Sequence, residues 1–277
     1  MKISAYAKLN LSLDIVGRRE DGYHLLDMIM QEIDLHDEIT LEKAEDITVE
    51  CDTDLPLRNT AYVAAENFFK ATGVKGGAKI TIKKNIPDKA GLGGGSSDAA
   101  AVIKTLDEIY SSGLSEEQMT DIAASVGSDV PFFIKGGTAR VGGVGEKILQ
   151  IKNNIDCWYV LAKPATGVST VEAYKKYHET SVLSFNTETV VSALEKGDIS
   201  LYAQNAKNAL EEAAMLLNPD IEKIKNIFTD ADFCMMTGSG SCVFAVYKNK
   251  NAAIAAFEKT KNNENAAFCH ICQGIIR

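Results

Sequence analysis

The residues with the most chemistry in them form one run: Pro87, Asp88, Lys89, Ala90, Gly91, Leu92, Gly93, Gly94, Gly95, Ser96 and Ser97, followed by Asp98 and an alanine-rich stretch. Four glycines lie within five positions, between a strand pattern and a helix pattern. Glycine allows unusual φ/ψ values and lets a ligand approach main-chain N–H groups closely. The first N–H groups of a helix are unpaired and carry partial positive charge. Loop and helix start together make a cradle for phosphate that needs no cationic side chain. The run is not a Walker A loop, because no Gly-Lys-Ser/Thr follows the glycines. It is not a dinucleotide fingerprint either, since Ser96 stands where the third glycine belongs, and an NAD-dependent oxidoreductase loses its ground there. The plain alternative is a flexible turn with a Ser/Asp helix cap.

Two further segments carry groups of the right type. Lys8 and Asn10 lie two apart in a strand pattern and so project from one face; that face meets either solvent or a ligand. In Gly127–Phe133, Asp129 precedes Pro131 and an apolar stretch. It reads either as the N-cap of a short helix with proline in its first turn or as a general base or metal ligand beside an apolar wall.

The elements that must position these groups are legible in outline. Ile3, Ala5, Ala7, Leu9, Leu11, Leu13 and Ile15 alternate with polar or small residues, the period of a strand with one buried face. Strand patterns follow at 29–35, 39–41, 47–51 and 78–82. Helices are predicted over 60–71, ending at Gly73, and over about 98–110. Ser115 and Gln118 have the spacing of a capping box. A glycine cluster at 136–145 reads as turns between short strands. The polar stretch 152–156 is the best boundary between two domains, 1–155 and 156–277. Beyond it the order is strand 157–162, helices at about 170–177, 187–195, 201–217 and 220–228, strands 233–236 and 242–247, helix 252–260 and strand 267–272. Without its extra helices this is β-α-β-β-α-β, the ferredoxin-like order.

Composition narrows the function. The chain has 277 residues, 29 basic against 38 acidic, and a net charge of −9. A nucleic-acid binder needs a basic footprint, and the basic runs here are only pairs: Arg18-Arg19, Lys83-Lys84 and Lys175-Lys176. The longest apolar runs are six residues, far short of the roughly 18 a membrane helix needs. Lys8, Asn10 and Asp14 interrupt any signal-peptide core. A cytoplasmic protein with neither membrane nor protein partner is the expectation. Its six cysteines then read as buried free thiols. Cys269 and Cys272 form a C-x-x-C without a second pair, in a strand where residues three apart face opposite ways.

Taken in order, these segments resemble the galactokinase, homoserine, mevalonate and phosphomevalonate (GHMP) kinases, with Thr237-Gly238-Ser239-Gly240-Ser241 similar to that family's third motif. Ala7–Leu11 followed by Gly17-Arg18-Arg19-Glu20-Asp21-Gly22-Tyr23-His24 resembles the branch whose acceptor alcohol carries a cytidine diphosphate. The resemblance implies an α+β fold of two domains. An N-terminal ATP-binding domain of ribosomal-S5 type precedes a ferredoxin-like C-terminal one, with the substrate between them. It implies phosphoryl transfer from ATP, with Mg2+, to a hydroxyl of that alcohol. Asp129 would take the hydroxyl proton, Lys8 would favour its ionised form, and Asn10 would bind substrate hydroxyls. Pro87 to Ser97 would wrap the ATP phosphates, with Ser97 helping to place magnesium. Tyr23 and His24 would read the cytosine, and Tyr174 would close the stack. Tyr6 stands where the family usually has proline, and Asp88-Lys89 where it has smaller residues. The alternatives are a homoserine- or mevalonate-type kinase and a non-catalytic nucleotide sensor. Gly22-Tyr23-His24 speaks against the first, and the Lys8 and Asp129 pair against the second.

Overall fold

The computed structural model describes residues 1–180 and 186–277. Its contacts divide the chain into two compact units, each built from separate stretches: 1–7, 35–86 and 93–136 in one, 8–34, 87–92 and 137–277 in the other. Two long strands, β1 (Lys2–Arg18) and β2 (His24–Ala44), contribute residues to both.

In the first unit the end of β2 pairs antiparallel with β4 (Gly77–Lys83), Ile39 opposite Ile82 and Leu41 opposite Ile80. β3 (Thr48–Cys51) joins β4 in parallel. Ile80 and Ile82 are buried while Lys79, Thr81 and Lys83 are exposed, so the period of two sorts the faces. Four helices belong to this unit: α1 (Thr60–Thr72), α2 (Gly94–Tyr110), α3 (Glu116–Ala124) and α4 (Val130–Lys135). Ala61, Ala64 and Ala65 of α1 and Ala99 to Ala101 of α2 are all buried; small side chains there let the two helices approach closely. Asn59 caps α1 through its side chain, Gly73 ends it at φ 68°, and Ser115 with Gln118 forms the expected capping box.

In the second unit the start of β2 pairs with β5 (Thr138–Gly143), and β5 with β6 (Lys147–Gln150). A separate antiparallel sheet runs in the order β10 (Phe268–Cys272), β7 (Trp158–Lys163), β9 (Val243–Tyr247), β8 (Phe233–Met236). Counted along this sheet's own chain, that order is 4-1-3-2, the ferredoxin-like arrangement. Helices α5 (Thr170–Tyr177), α6 (Thr187–Lys196), α7 (Ile199–Asn205), α8 (Glu211–Leu217), α9 (Asp220–Lys225) and α10 (Lys250–Lys261) complete it.

Three expectations change. The helix expected over 201–217 is two helices. Between them the Lys207 carbonyl accepts from Leu13 N and Ala209 N donates back to Leu13, while Asn208 spends its side chain on the Met236 and Gly238 carbonyls, 2.8 Å each. Strand pairing outcompetes the helix at that point. The helix expected from Asp98 begins at Gly94, with Gly93 as its N-cap at φ 73°, so Ser96 and Ser97 lie inside its first turn and do not cap it. The middle of the polar face of β1 is not solvated: Lys8, Asn10 and Ser12 are as buried as the leucines between them. All six cysteines are free. Burial pushes the Cys269 thiol up to about 12, which suits an inert structural thiol.

Candidate active site

In the second unit, three of the singled-out segments meet. Lys8 and Asn10 share a face of β1, as their spacing required, and the Lys8 ammonium donates to the Asn10 side-chain oxygen. The Lys8 backbone N–H donates to the Leu92 carbonyl at 3.0 Å, which ties β1 to the glycine loop. The loop is pinned again by Ser241 N to the Lys89 carbonyl and Cys242 N to the Ala90 carbonyl, 3.2 Å each. Asn10 N donates to the Thr237 hydroxyl at 2.9 Å. The Ser239 hydroxyl meets that of Thr170, at the start of α5, at 2.8 Å. A side chain at Gly91 would collide with the Thr237 carbonyl, and φ there is +73°; no other residue fits. Lys89 also sits at positive φ, 48°, a conformation that costs a non-glycine residue of order 1 kcal/mol. Pro87, Asp88, Ala90 and Leu92 complete this stretch, with Ala90 and Leu92 buried as anchors and Asp88 and Lys89 exposed.

The rest of the glycine run belongs to the first unit, as the opening turn of α2. A Cβ on Gly94 would stand 3.0 Å from Ile86, and one on Gly95 would stand 3.1 Å from the Thr60 hydroxyl. These glycines are therefore demanded by packing as well as by any ligand. Behind this turn lies a cluster the sequence did not announce. Lys84 reaches two buried carboxylates, Asp37 and, at 2.8 Å, Asp98. The other Asp37 oxygen accepts from Asn85 N at 2.6 Å and Ile86 N at 2.8 Å. Asp98 Oδ1 has no hydrogen-bond partner. Burial raises the Asp98 carboxyl to about 7; Lys84 opposes that shift and the neighbouring Asp37 carboxylate adds to it. The triad fastens the residues entering the glycine loop to the helix leaving it. Lys84 registers in the sequence only as half of a basic pair.

Asp129, also in the first unit, is the N-cap residue of α4 with Pro131 in the first turn, but its side chain makes no capping bond. The capping alternative is therefore not realised. Asp129 is half-buried, and the α4 residues that follow it, Val130 to Ile134, are buried.

The Gly17–His24 run forms the turn between β1 and β2. Arg19 N donates to the Tyr23 carbonyl at 2.8 Å, Gly22 N to the Arg19 carbonyl at 3.0 Å, and the Arg18 side chain to the Gly22 carbonyl at 3.1 Å. An Arg19–Asp21 ion pair at 2.8 Å braces it. The turn leaves Tyr23 66% exposed, a large aromatic ring held out to solvent. His24 stacks on Tyr174 of α5, with ring centroids 4.7 Å apart and planes at 21°. His178, just past α5, brings its Nε2 to 3.4 Å from that of His24; sequence reasoning missed it, and nothing local marks it.

For a divalent metal, no group of three His, Cys, Asp or Glu side chains converges among the described residues. The carboxylate beside Ser97 is turned onto Lys84.

The description "GHMP kinases N terminal domain" fits residues 59–137, and "GHMP kinases C terminal" fits residues 190–265. The 4-diphosphocytidyl-2-C-methyl-D-erythritol kinase of Caldicellulosiruptor bescii is 42% identical, over 94% of each chain. That of Clostridium tetani is 40% identical, over 97% of this chain and 98% of its own. A solved 4-(cytidine 5'-diphospho)-2C-methyl-D-erythritol kinase superposes with a TM-score of 0.83 at 30% identity, covering 99% of this chain and 100% of that one. Homoserine kinase from Cytophaga hutchinsonii shares the fold, with a TM-score of 0.80 at 19% identity, over 99% and 94%. This chain belongs to the GHMP kinases, a family of two-domain α+β enzymes that phosphorylate small molecules from ATP.

Proposed function

We infer that the chain transfers the γ-phosphoryl group of ATP to the 2-hydroxyl of 4-diphosphocytidyl-2-C-methyl-D-erythritol, a step of non-mevalonate isoprenoid precursor synthesis. The close identity to relatives of that name along nearly the whole chain carries the choice of acceptor. Fold alone does not, because a homoserine kinase superposes almost as well.

In this reading the chain divides at about residue 155 into an ATP-binding part, 1–155, and a second part, 156–277. The backbone of Pro87 to Ser97 holds the ATP phosphates. The Ser97 hydroxyl, together with those phosphates, would hold Mg2+, which would supply charge neutralisation there. Asp129 takes the proton of the acceptor hydroxyl. A methyl-bearing tertiary alcohol is a hindered nucleophile, so its orientation matters as much as basicity. Lys8 favours the ionised form of Asp129, and Asn10 orients the acceptor hydroxyls. Support for the base assignment comes from the place of Asp129, half-buried at the head of the buried stretch Val130 to Ile134 of α4. Tyr23, His24 and Tyr174 bind the cytosine: an exposed ring offers a stacking face, and an imidazole reads a base edge.

A coupled ADP-release assay tests this with the cytidine-diphospho acceptor against homoserine and mevalonate. Turnover is expected with the first only, and a preference for an acceptor without cytosine refutes the reading. Asp129→Ala is expected to lower kcat by about 10²–10⁴, the usual worth of a general base, with the ATP KM little changed. Near-full turnover removes Asp129 from the role.

A further inference from the structure

His24 is held on three sides. Tyr174 covers one ring face, Tyr177 stands edge-on at 6.5 Å and 88°, and the His178 Nε2 lies against its Nε2. Two imidazole nitrogens facing each other are compatible only when one carries a proton and the other a lone pair. With Nε2 engaged, the atom left for a ligand is Nδ1, which has no hydrogen-bond partner among the described residues. Its character, donor or acceptor, is therefore decided by the direction of the bond to His178.

We infer that His178 is a positioning residue: it donates its Nε2–H to His24 Nε2, keeps the His24 proton on Nδ1, and so sets the chain to read cytosine and refuse uracil. The proposal rests on the reading of Tyr23 and His24 as the base site. Cytosine offers acceptors at N3 and O2, and an Nδ1–H donor pairs with N3. Uracil carries a proton on N3, so the same donor meets a donor. A site built to hydrogen-bond one pattern discriminates strongly, because the wrong partner leaves polar groups unpaired.

The surroundings favour a neutral, singly protonated His24. The titratable and charged groups facing it are His178, Tyr174 and Tyr177 from the α5 side and Arg18 from the end of β1. Burial first, then repulsion from His178 and Arg18, moves the His24 imidazole below its ordinary value. Tyr177, raised by burial and by Asp14, stays a neutral phenol.

The test has two parts on the full chain. Long-range proton–nitrogen NMR of the ligand-free protein at pH 7.5 reports the His24 tautomer. Nδ1–H is expected in the wild type, with a mixture and a higher titration midpoint in His178→Ala and partial restoration in His178→Gln, whose amide also donates. Kinetics then compare the cytidine-diphospho acceptor with its uridine counterpart. His178→Ala is expected to raise the cytidine acceptor's KM about tenfold, the worth of one hydrogen bond, with a smaller change in kcat and a weaker preference over uridine. An Nε2–H tautomer in the wild type, or a base preference untouched by His178→Ala, overturns the proposal. His24→Ala separates the two readings. If it leaves the acceptor KM unchanged, the base site itself is refuted and the proposal falls with it. If it raises KM while His178→Ala changes nothing, the base site stands and the role of His178 is refuted alone.

Discussion

Lys84 and His24 each stand at the centre of a polar cluster, and the two clusters are built on opposite terms. Around Lys84, two carboxylates and two backbone N–H groups are packed out of water, with the Asp37 side chain wholly inaccessible. Around His24, rings stack in partial contact with solvent, one imidazole nitrogen is engaged and the other has no partner among the described residues. The first cluster holds its geometry with no ligand present, because any loosening strands charge in a low-dielectric interior. The second, made of partly exposed rings and one long contact, is cheap to rearrange. One ties the residues before the glycine loop to the helix after it; the other is the proposed base site.

The largest expected effect breaks the first cluster. Lys84→Met leaves two buried carboxylates facing each other without a cation. Removing one partner of a buried pair costs about 3–5 kcal/mol. Urea unfolding at pH 7.5 should show that loss, and one below about 1 kcal/mol would mean that the carboxylates find water or protons easily and the cluster is not a rigid tie.

The contrast also separates what was legible in the sequence from what was not. Local rules sufficed for the alternation of β1, the glycine that ends α1, the capping box of α3 and the ferredoxin-like order. They failed where a distant partner decides. Lys83 and Lys84 look alike on paper. In the fold, Lys83 pairs with exposed Glu38 across the β2–β4 ladder at 2.7 Å, while its neighbour Lys84 is half-buried and reaches two buried carboxylates. Asn208 breaks a helix because Leu13, far away in the chain, offers strand pairing. The spacing of Lys8 and Asn10 left solvent and ligand both open, because nothing in it says that other segments cover that face. His178 has no local signature at all, since its meaning comes from His24, 154 residues earlier.

A smaller effect sharpens the first cluster without destroying it. Unfolded, the Asp98 carboxyl loses its proton near pH 4; folded, it holds it to about 7. Between those values the folded state binds more protons than the unfolded one, so this group's contribution to stability is full in acid and is lost as pH rises through about 7. The span is about three pH units at ~1.4 kcal/mol each, an upper bound of roughly 4 kcal/mol. Asp98→Asn removes the titration and should flatten the stability profile between pH 4 and 7, measured as urea midpoints relative to the wild type. An unchanged slope would place the Asp98 proton elsewhere.

The smallest effect on the fold falls at the second cluster, and there the two properties should come apart. Tyr23 is exposed and held out by a turn braced by backbone groups and by Arg18, Arg19 and Asp21. Its ring is not among them, so Tyr23→Ala should change stability by less than about 0.5 kcal/mol, as surface substitutions usually do. Stacking of a base on an aromatic ring is worth about 1–3 kcal/mol, so the same change should raise the acceptor KM by roughly 5–150-fold while leaving the ATP KM nearly untouched. Tyr23→Phe keeps the stacking face and should behave close to the wild type. A variant that loses stability and acceptor affinity together would show that Tyr23 supports the turn, and the division between a rigid frame and an adaptable reader would have to be redrawn.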